Sequence, residues 1–406
     1  MNVAELLAEH GSPLWLANLD VVRDRYRAFA TAWRAEWPDV VVAYSYKANR
    51  VPAILRAVAA EGAAHEVGTE SEYGLARAVG GAHGPDIVVH GPAKPDTLLE
   101  RAGGDDALVV ADSLPELRRA RAAGVRRVGV RVSLAGVGHG ASHFGVPMAE
   151  VPKAPRTAAV AGLRIEALAV HLVSAGFDRP LAEVPRLASA MVVKWPQPPE
   201  QFAASARILA SLAVRVGVPE IDMGGGFPPA PDEALYARAV AGGLGAAGFE
   251  GRLIVEPGRA IVADAVDLAC TVRAVKRLAD GKRCVVVDAG TSLLAGVLWR
   301  WPRIEAPGSD GPSAGAALVT GPLCTNVDVL HSSADLPAVK EGDVLLVRGV
   351  GAYHQIHSTQ FGGVRPAVVA RDHGRWQLCC RRETIDDLLA TDVASDLATA
   401  APGHER

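Results

Sequence analysis

The chain has 406 residues, 49% hydrophobic and 21% charged, with a formal net charge of −3. That is an ordinary globular composition, long enough for one large domain or two ordinary ones. Without a basic footprint, nucleic acid and anionic membrane are not expected partners, and no unbroken apolar stretch has the length of a bilayer span. The opening MNVAELLAEHGSP carries Glu5, Glu9 and His10 in place of a basic region and a long apolar run, so it does not read as a signal peptide. Five cysteines without paired metal spacing argue against a disulfide framework. No metal is expected, and the expected location is the cytoplasm.

In chain order, PLWLANLD near the N-terminus is strand-like. Eight short β-rich runs follow: VVVAYSY before Lys47, AHEVGT, DIVVHG, ALVVAD, RVGVRV, IEALAVHL, EIDMGGG and LIVEP. Between them, segments such as PAILRAVAAEG, ESEYGLARAVGG and LPELRRARAAG place apolar residues at helical spacing, and most close on a glycine, as a helix C-terminus prefers. Strands alternating with helices imply parallel pairing, and eight such units predict a (β/α)8 barrel over 25–264. From Ala265 the texture becomes strands and turns: VDLACTVRAVKR, RCVVVDAG, GAALVTGPLC, DVLLVRGVGAYH and VRPAVVARDHGRWQLCCRR. This predicts a second, antiparallel β domain, 265–397 joined by 1–24, with a disordered tail over 398–406.

In such a barrel, chemistry belongs at the C-terminal ends of the strands. Those ends carry Lys47, Glu66, His90, Asp112, Arg131, His171, the run Gly224, Gly225, Gly226, and Glu256. A lone lysine there is more often a salt-bridging or snorkelling side chain than a Schiff-base amine tuned to attack a carbonyl. Its neighbours decide. The glycine run lets backbone amides approach an anion closely, and EPGR adds a carboxylate, a turn and a guanidinium at the next strand end. A phosphate cradle, a ring-facing His171 and a carboxylate for a ring nitrogen together describe a site for pyridoxal phosphate.

With YSYKAN, HEVGTESE, GPAKPD, ADSLPEL, HLVSAG, IDMGGGF, EPGR, VDAG, GPLCTNVD, GAY and RRETIDDLL in family order, the chain resembles the fold-type III pyridoxal-phosphate decarboxylases. The diaminopimelate and ornithine decarboxylases are nearest. That resemblance implies an alanine-racemase-like barrel with a second β-barrel domain. It implies a homodimer with shared active sites and a small amino-acid substrate. Lys47 would hold the cofactor covalently, Glu256 would keep the pyridine nitrogen protonated, and His171 would stack on the ring. Ser174, Gly224, Gly225, Gly226, Gly258, Arg259 and Tyr353 would bind the phosphate side, with Glu66 as an acidic residue near the cofactor and Glu72 as the second acid six residues later. Cys324 would cross the dimer interface and return a proton to the substrate's alpha carbon.

A carboxylate beside the ring nitrogen favours its protonated form and so the better electron sink. Related racemases place an arginine there, so Glu256 argues for decarboxylation over a racemase or epimerase. The family's acid after the cysteine is here Thr325, then Asn326, and the stretch after VDAG has no charge where the diaminopimelate enzymes carry an arginine. Val173 replaces a glycine, and His354 and His357 follow GAY. The expected substrate is therefore an amino acid other than diaminopimelate, ornithine, lysine or arginine, with a neutral, bulky or conjugated distal end, as in specialised metabolism. Thr325, Asn326, His354, His357 and Asp328 would stand near its distal end, and Asp328 or Glu72 could be redeployed to meet an amine. The alternatives are a diaminopimelate decarboxylase with an altered pocket, a racemase of the same fold, a non-catalytic cofactor-binding protein, and a regulator built on an inactive decarboxylase. The Pro- and Trp-rich stretch 177–200 reads as a surface excursion or as a loop over the active site.

Overall fold

The computed structural model describes residues 2–134, 143–172, 197–298, 300–309 and 311–392. Its first ten strands are β1 (Leu14–Asn18), β2 (Val40–Ser45), β3 (Ala64–Val67), β4 (Ile87–Val89), β5 (Leu108–Ala111), β6 (Arg127–Ser133), β7 (Val146–Pro147), β8 (Arg164–Ala169), β9 (Glu220–Asp222) and β10 (Arg252–Val255). Strands β2, β3, β4, β5, β6, β8, β9 and β10 pair in parallel in that order, and β10 returns to β2. The barrel predicted from the alternating runs is thus closed, while β7 only extends β6.

Alternation along each strand divides the apolar residues into two layers. Small residues fill the barrel interior: Ala43, Val88, Leu108, Val110, Ala167, Ala169 and Ile254 form one cluster. Gly129 belongs to this face, since a Cβ there would stand 3.1 Å from the Ala167 Cβ and 3.3 Å from Val110 Cγ2. The outward faces meet the helices. Phe29 and Trp33 of the helix Leu19–Glu36 pack with Phe227, Phe202 and Tyr236. Each such side chain contributes about 1.5–3 kcal/mol by burial. This aromatic group ties the helices Pro199–Val216 and Glu233–Gly245 to the helix leading into β2. It therefore fixes the two strands, β2 and β9, that deliver Lys47 and the glycine run.

The second unit contains β11 (Val266–Arg277), β12 (Arg283–Val287), β13 (Arg303–Glu305), β14 (Ser313–Thr320), β15 (Val329–Pro337), β16 (Val344–Arg348), β17 (Val368–Asp372) and β18 (Arg375–Cys380). The N-terminal β1 lies between β11, antiparallel, and β17, parallel. Most ladders are antiparallel, but β1–β17 and β12–β14 are parallel. Neither pair is joined by a hairpin, so no tight turn dictates its direction. The sequence pattern did not single out β13 or β15. The latter reads VLHSSADLP, and its half-exposed serines hide the alternation. The expected tail lies outside the described residues. Among the described residues no helix is long and apolar enough to cross a membrane.

Candidate active site

Strand β2 ends at Ser45, and Lys47 follows in the next turn. The turn is held from two sides. The Ala48 carbonyl accepts the Tyr353 amide at 2.9 Å, and Asn49 Nδ2 donates to the Gly351 carbonyl at 2.9 Å. Ser45 N donates to the Pro257 carbonyl at 3.1 Å. Gly258 is required by this approach, because a Cβ there would stand 2.6 Å from the Ala48 Cβ. Lys47 thereby sits beside EPGR and GAY, segments far from it in sequence.

Lys47 Nζ donates to Glu66 Oε2 at 2.6 Å, and Ser45 Oγ donates to the same oxygen at 2.5 Å. Burial works against a charged amine here, but the carboxylates of Glu66 and Glu256 and the Tyr353 phenol outweigh it. The Lys47 ammonium is held above the usual lysine range. His171 is pushed the other way, well below the usual histidine range, by burial and by the charges of Lys47, Arg131 and His90. A neutral imidazole agrees with its geometry, since Nδ1 accepts the Gly225 amide at 3.2 Å, which leaves the proton on Nε2.

The glycine run departs from its expected use. Gly224 N donates to Asp222 Oδ1 at 2.8 Å, and Gly225 N donates to His171. These two amides are turned into the barrel rim, and among the described residues only that of Gly226 has no partner. The glycines are instead demanded by packing. A Cβ on Gly224 would stand 2.5 Å from the Val170 carbonyl, and one on Gly225 would stand 2.5 Å from the Glu256 carbonyl. Gly224 and Gly226 also have φ of +63° and +94°, which favours glycine.

Glu256 is almost completely buried. Its Oε1 lies 2.7 Å from His90 Nε2, which also lies 3.0 Å from Asp222 Oδ2. The hydrogen-bond alignment of Nε2 favours Asp222, so Glu256 Oε1 meets His90 as an ion-pair contact and among the described residues has no aligned hydrogen-bond donor. Arg259 lies with its guanidinium carbon 5.0 Å from the Tyr353 ring centre. Pyridoxal phosphate fits this set of groups. The buried Glu256 carboxylate can take a ring N–H, the Lys47 amine can take an aldehyde once it gives up its proton, and a guanidinium can take a phosphate. His90 was expected only as a strand-end residue, and Asp222 was not singled out. The signal for Asp222 was its place at the strand end, one residue short of the glycine run.

Other expected residues have different work. Asp328 is a correction: it is buried, and its oxygens accept Thr291 N at 2.6 Å, Thr291 Oγ1 at 3.1 Å and Leu323 N at 2.7 Å. Gly290 and Gly321 close on the same carboxylate, where Cβ atoms would stand 2.7 and 2.4 Å away. Asp328 therefore ties VDAG to GPLC and holds the turn that exposes Cys324, Asn326 and Val327. Glu72 accepts the Gly68 amide at 2.7 Å and belongs to the start of the helix Glu70–Ala78. The His354 ring packs on Gly296, where a Cβ would stand 2.5 Å from Cε1, so a glycine within the uncharged stretch makes room for it. Among the described residues His354 Nδ1 is buried without a partner, whereas His357 is exposed. Asp112 pairs loosely with Arg131 at 3.7 Å. Ser174, Val173 and most of the 177–200 stretch lie outside the described residues.

Residues 28–351 match the model of a family described as pyridoxal-dependent decarboxylase, C-terminal sheet domain. A diaminopimelate decarboxylase of Deinococcus radiodurans is 30% identical over 94% of this chain and 96% of its own length. One from Actinosynnema pretiosum subsp. auranticum is 31% identical over 96% of this chain and 90% of its own length. Among solved structures, the diaminopimelate decarboxylase of M. jannaschii in complex with L-lysine superposes with a TM-score of 0.84 at 23% identity, covering 97% of this chain and 94% of that one. The lysine/ornithine decarboxylase of Vibrio vulnificus with putrescine gives 0.75 at 23%, covering 91% and 96%. These two structures share the fold.

Proposed function

Because this chain belongs to the pyridoxal-dependent decarboxylase family, we propose that its substrate is an amino acid with a neutral, bulky or conjugated distal end. The enzyme class is amino-acid decarboxylase, with pyridoxal phosphate as cofactor. When bound, the cofactor supplies the electron sink for the pair left on the alpha carbon as carbon dioxide departs. On this reading Lys47 secures the aldehyde carbon, Glu256 keeps a proton on the ring nitrogen and His171 covers the ring. Arg259, Tyr353, Gly258 and the Gly226 amide meet the phosphate. Cys324 delivers a proton to the alpha carbon across a homodimer interface. Exposed Val327 and Phe361, 63% and 62% accessible, support a second copy covering that side. Five free cysteines support a reducing, cytoplasmic setting. The barrel is proposed over 25–264 and the sheet domain over 1–24 and 265–397.

The observation that carries the substrate reading is the state of the GPLCTNVD turn. Its one carboxylate, Asp328, is buried and occupied by three donors, and Thr325 follows the cysteine. A buried ammonium without an acid costs several kcal/mol, so a site built for a distal amine should supply one. The second reading, a diaminopimelate decarboxylase with a rearranged pocket, draws on the names of the relatives that are about 30% identical along the whole chain. Thr325→Glu separates them. If the missing acid sets the preference, the variant gains at least tenfold on ornithine or diaminopimelate relative to the parent. Equal or lower activity on both would favour the second reading.

A further inference from the structure

We infer that His90 is a positioning residue for Glu256, holding the carboxylate through a buried Asp222–His90–Glu256 cluster. The inference rests on the reading that Glu256 meets the cofactor ring. Three observations carry it. His90 Nε2 stands between two carboxylates, 3.0 Å from Asp222 Oδ2 and 2.7 Å from Glu256 Oε1. Both acids are sealed from solvent, at 0% and 2% exposure. The opposite oxygen of Asp222 accepts the Gly224 amide at 2.8 Å, and Glu256 N donates to the Gly224 carbonyl at 2.8 Å. One imidazole thus links the ends of β4, β9 and β10 and fixes where the Glu256 oxygens lie.

The charge count has a consequence. Two carboxylates and an imidazolium sum to one negative charge, which a single protonated ring nitrogen balances. Burial opposes a charged His90, but Glu256 and Asp222 overcome it and raise its pKa to about 10. Other charged or titratable groups facing the cluster are His171, 3.9 Å from Glu256, Lys47 with its partner Glu66, Tyr353 beside Lys47, and Arg131 beside His171, among the described residues. If His90 is removed, the two acids face each other without a cation between them. Like charges that close do not both remain ionised, so one takes up a proton. A neutral Glu256 can still accept through its carbonyl oxygen, but it no longer offers the charge that keeps the ring nitrogen protonated.

The experiment uses full-length protein loaded with pyridoxal phosphate labelled with nitrogen-15 in the ring, and reads the ring-nitrogen shift by NMR together with cofactor dissociation. Glu256→Gln tests the underlying reading: an unchanged ring signal would overturn it. Given a shift in Glu256→Gln, His90→Phe is expected to move the ring signal in the same direction and weaken cofactor retention about tenfold. His90→Gln, which keeps an amide donor, should lie between His90→Phe and the parent. Ring signals in both His90 variants that match the parent would overturn the inference, even if the variants melt earlier. Should His90→Phe fail to fold, His90→Gln and the imidazole nitrogen signals of the parent at pH 8.5 decide: a neutral His90 there contradicts it.

Discussion

Lys47 Nζ and Glu66 Oε2 are 2.6 Å apart, with the carboxylate 1% exposed and the lysine side chain 41% exposed. The acid is fixed in the wall of the barrel and the amine reaches out from it. Capture of an aldehyde requires the free amine, so this pair controls when Lys47 can react. Glu66→Gln removes the nearest charge that holds the proton, which lowers the Lys47 pKa. Cofactor loading, followed by absorbance from pH 6 to 10, should then proceed at lower pH than in the parent. Lys47→Ala should retain no cofactor after borohydride reduction and unfolding. An unchanged pH course in Glu66→Gln, or covalent cofactor in Lys47→Ala, contradicts these roles.

Glu256→Gln keeps the shape of the side chain and removes the charge opposite the proposed ring nitrogen. Turnover should fall by one to two orders of magnitude, roughly 1.4–3 kcal/mol of barrier. Circular dichroism should remain that of the parent. Undiminished turnover with a normal fold would remove Glu256 from the chemistry.

Cys324 is exposed on the turn that Asp328 braces. If it serves the neighbouring subunit, inactive Lys47→Ala and Cys324→Ala chains should complement each other. After equal mixing and subunit exchange, half the dimers are mixed and each has one intact site. About a quarter of the parent activity should return. Absence of recovery after exchange has been verified by mass would contradict sharing and mean that each chain supplies both residues to its own site.

Two buried histidines give the fold an acid limit. Burial holds His65 to about 4 and, with the charges of Arg259 and His357, holds His354 to about 4. An unfolded histidine titrates near 6.5. The unfolded chain therefore binds more protons in this range, so the stability from these two groups is complete above about pH 6.5 and disappears as pH falls through 4. The urea midpoint should fall between pH 7 and 4.5, and His65→Gln or His354→Gln should flatten that slope. Parallel slopes in parent and variants would assign the acid sensitivity to other groups.

The barrel was legible because its strands, buried on both faces, stand out as short apolar runs between amphipathic helices. Lys47 was legible for the same reason, as a charge at the tip of such a run. The His90–Asp222 contact was not, because it joins positions 132 residues apart and strand-end order alone does not say which side chains converge. Nor could sequence separate an acid that meets a ligand from Asp328, whose partners come from a distant turn. A glycine run after a strand points to amides that approach an anion, whereas Asp222 and His171 accept those of Gly224 and Gly225.

The most direct test of the substrate reading is carbon dioxide release by the cofactor-loaded protein from a panel of amino acids. The panel pairs meso-diaminopimelate, ornithine, lysine and arginine with acids that have neutral, bulky or conjugated distal ends. The turn with Thr325 and an occupied Asp328 predicts kcat/KM highest for a member of the neutral group, with the four charged substrates at least a hundredfold lower. An efficiency of about 10⁴ M⁻¹s⁻¹ or more on meso-diaminopimelate or ornithine would contradict that account and make the chain a decarboxylase of distal amines with a rearranged pocket.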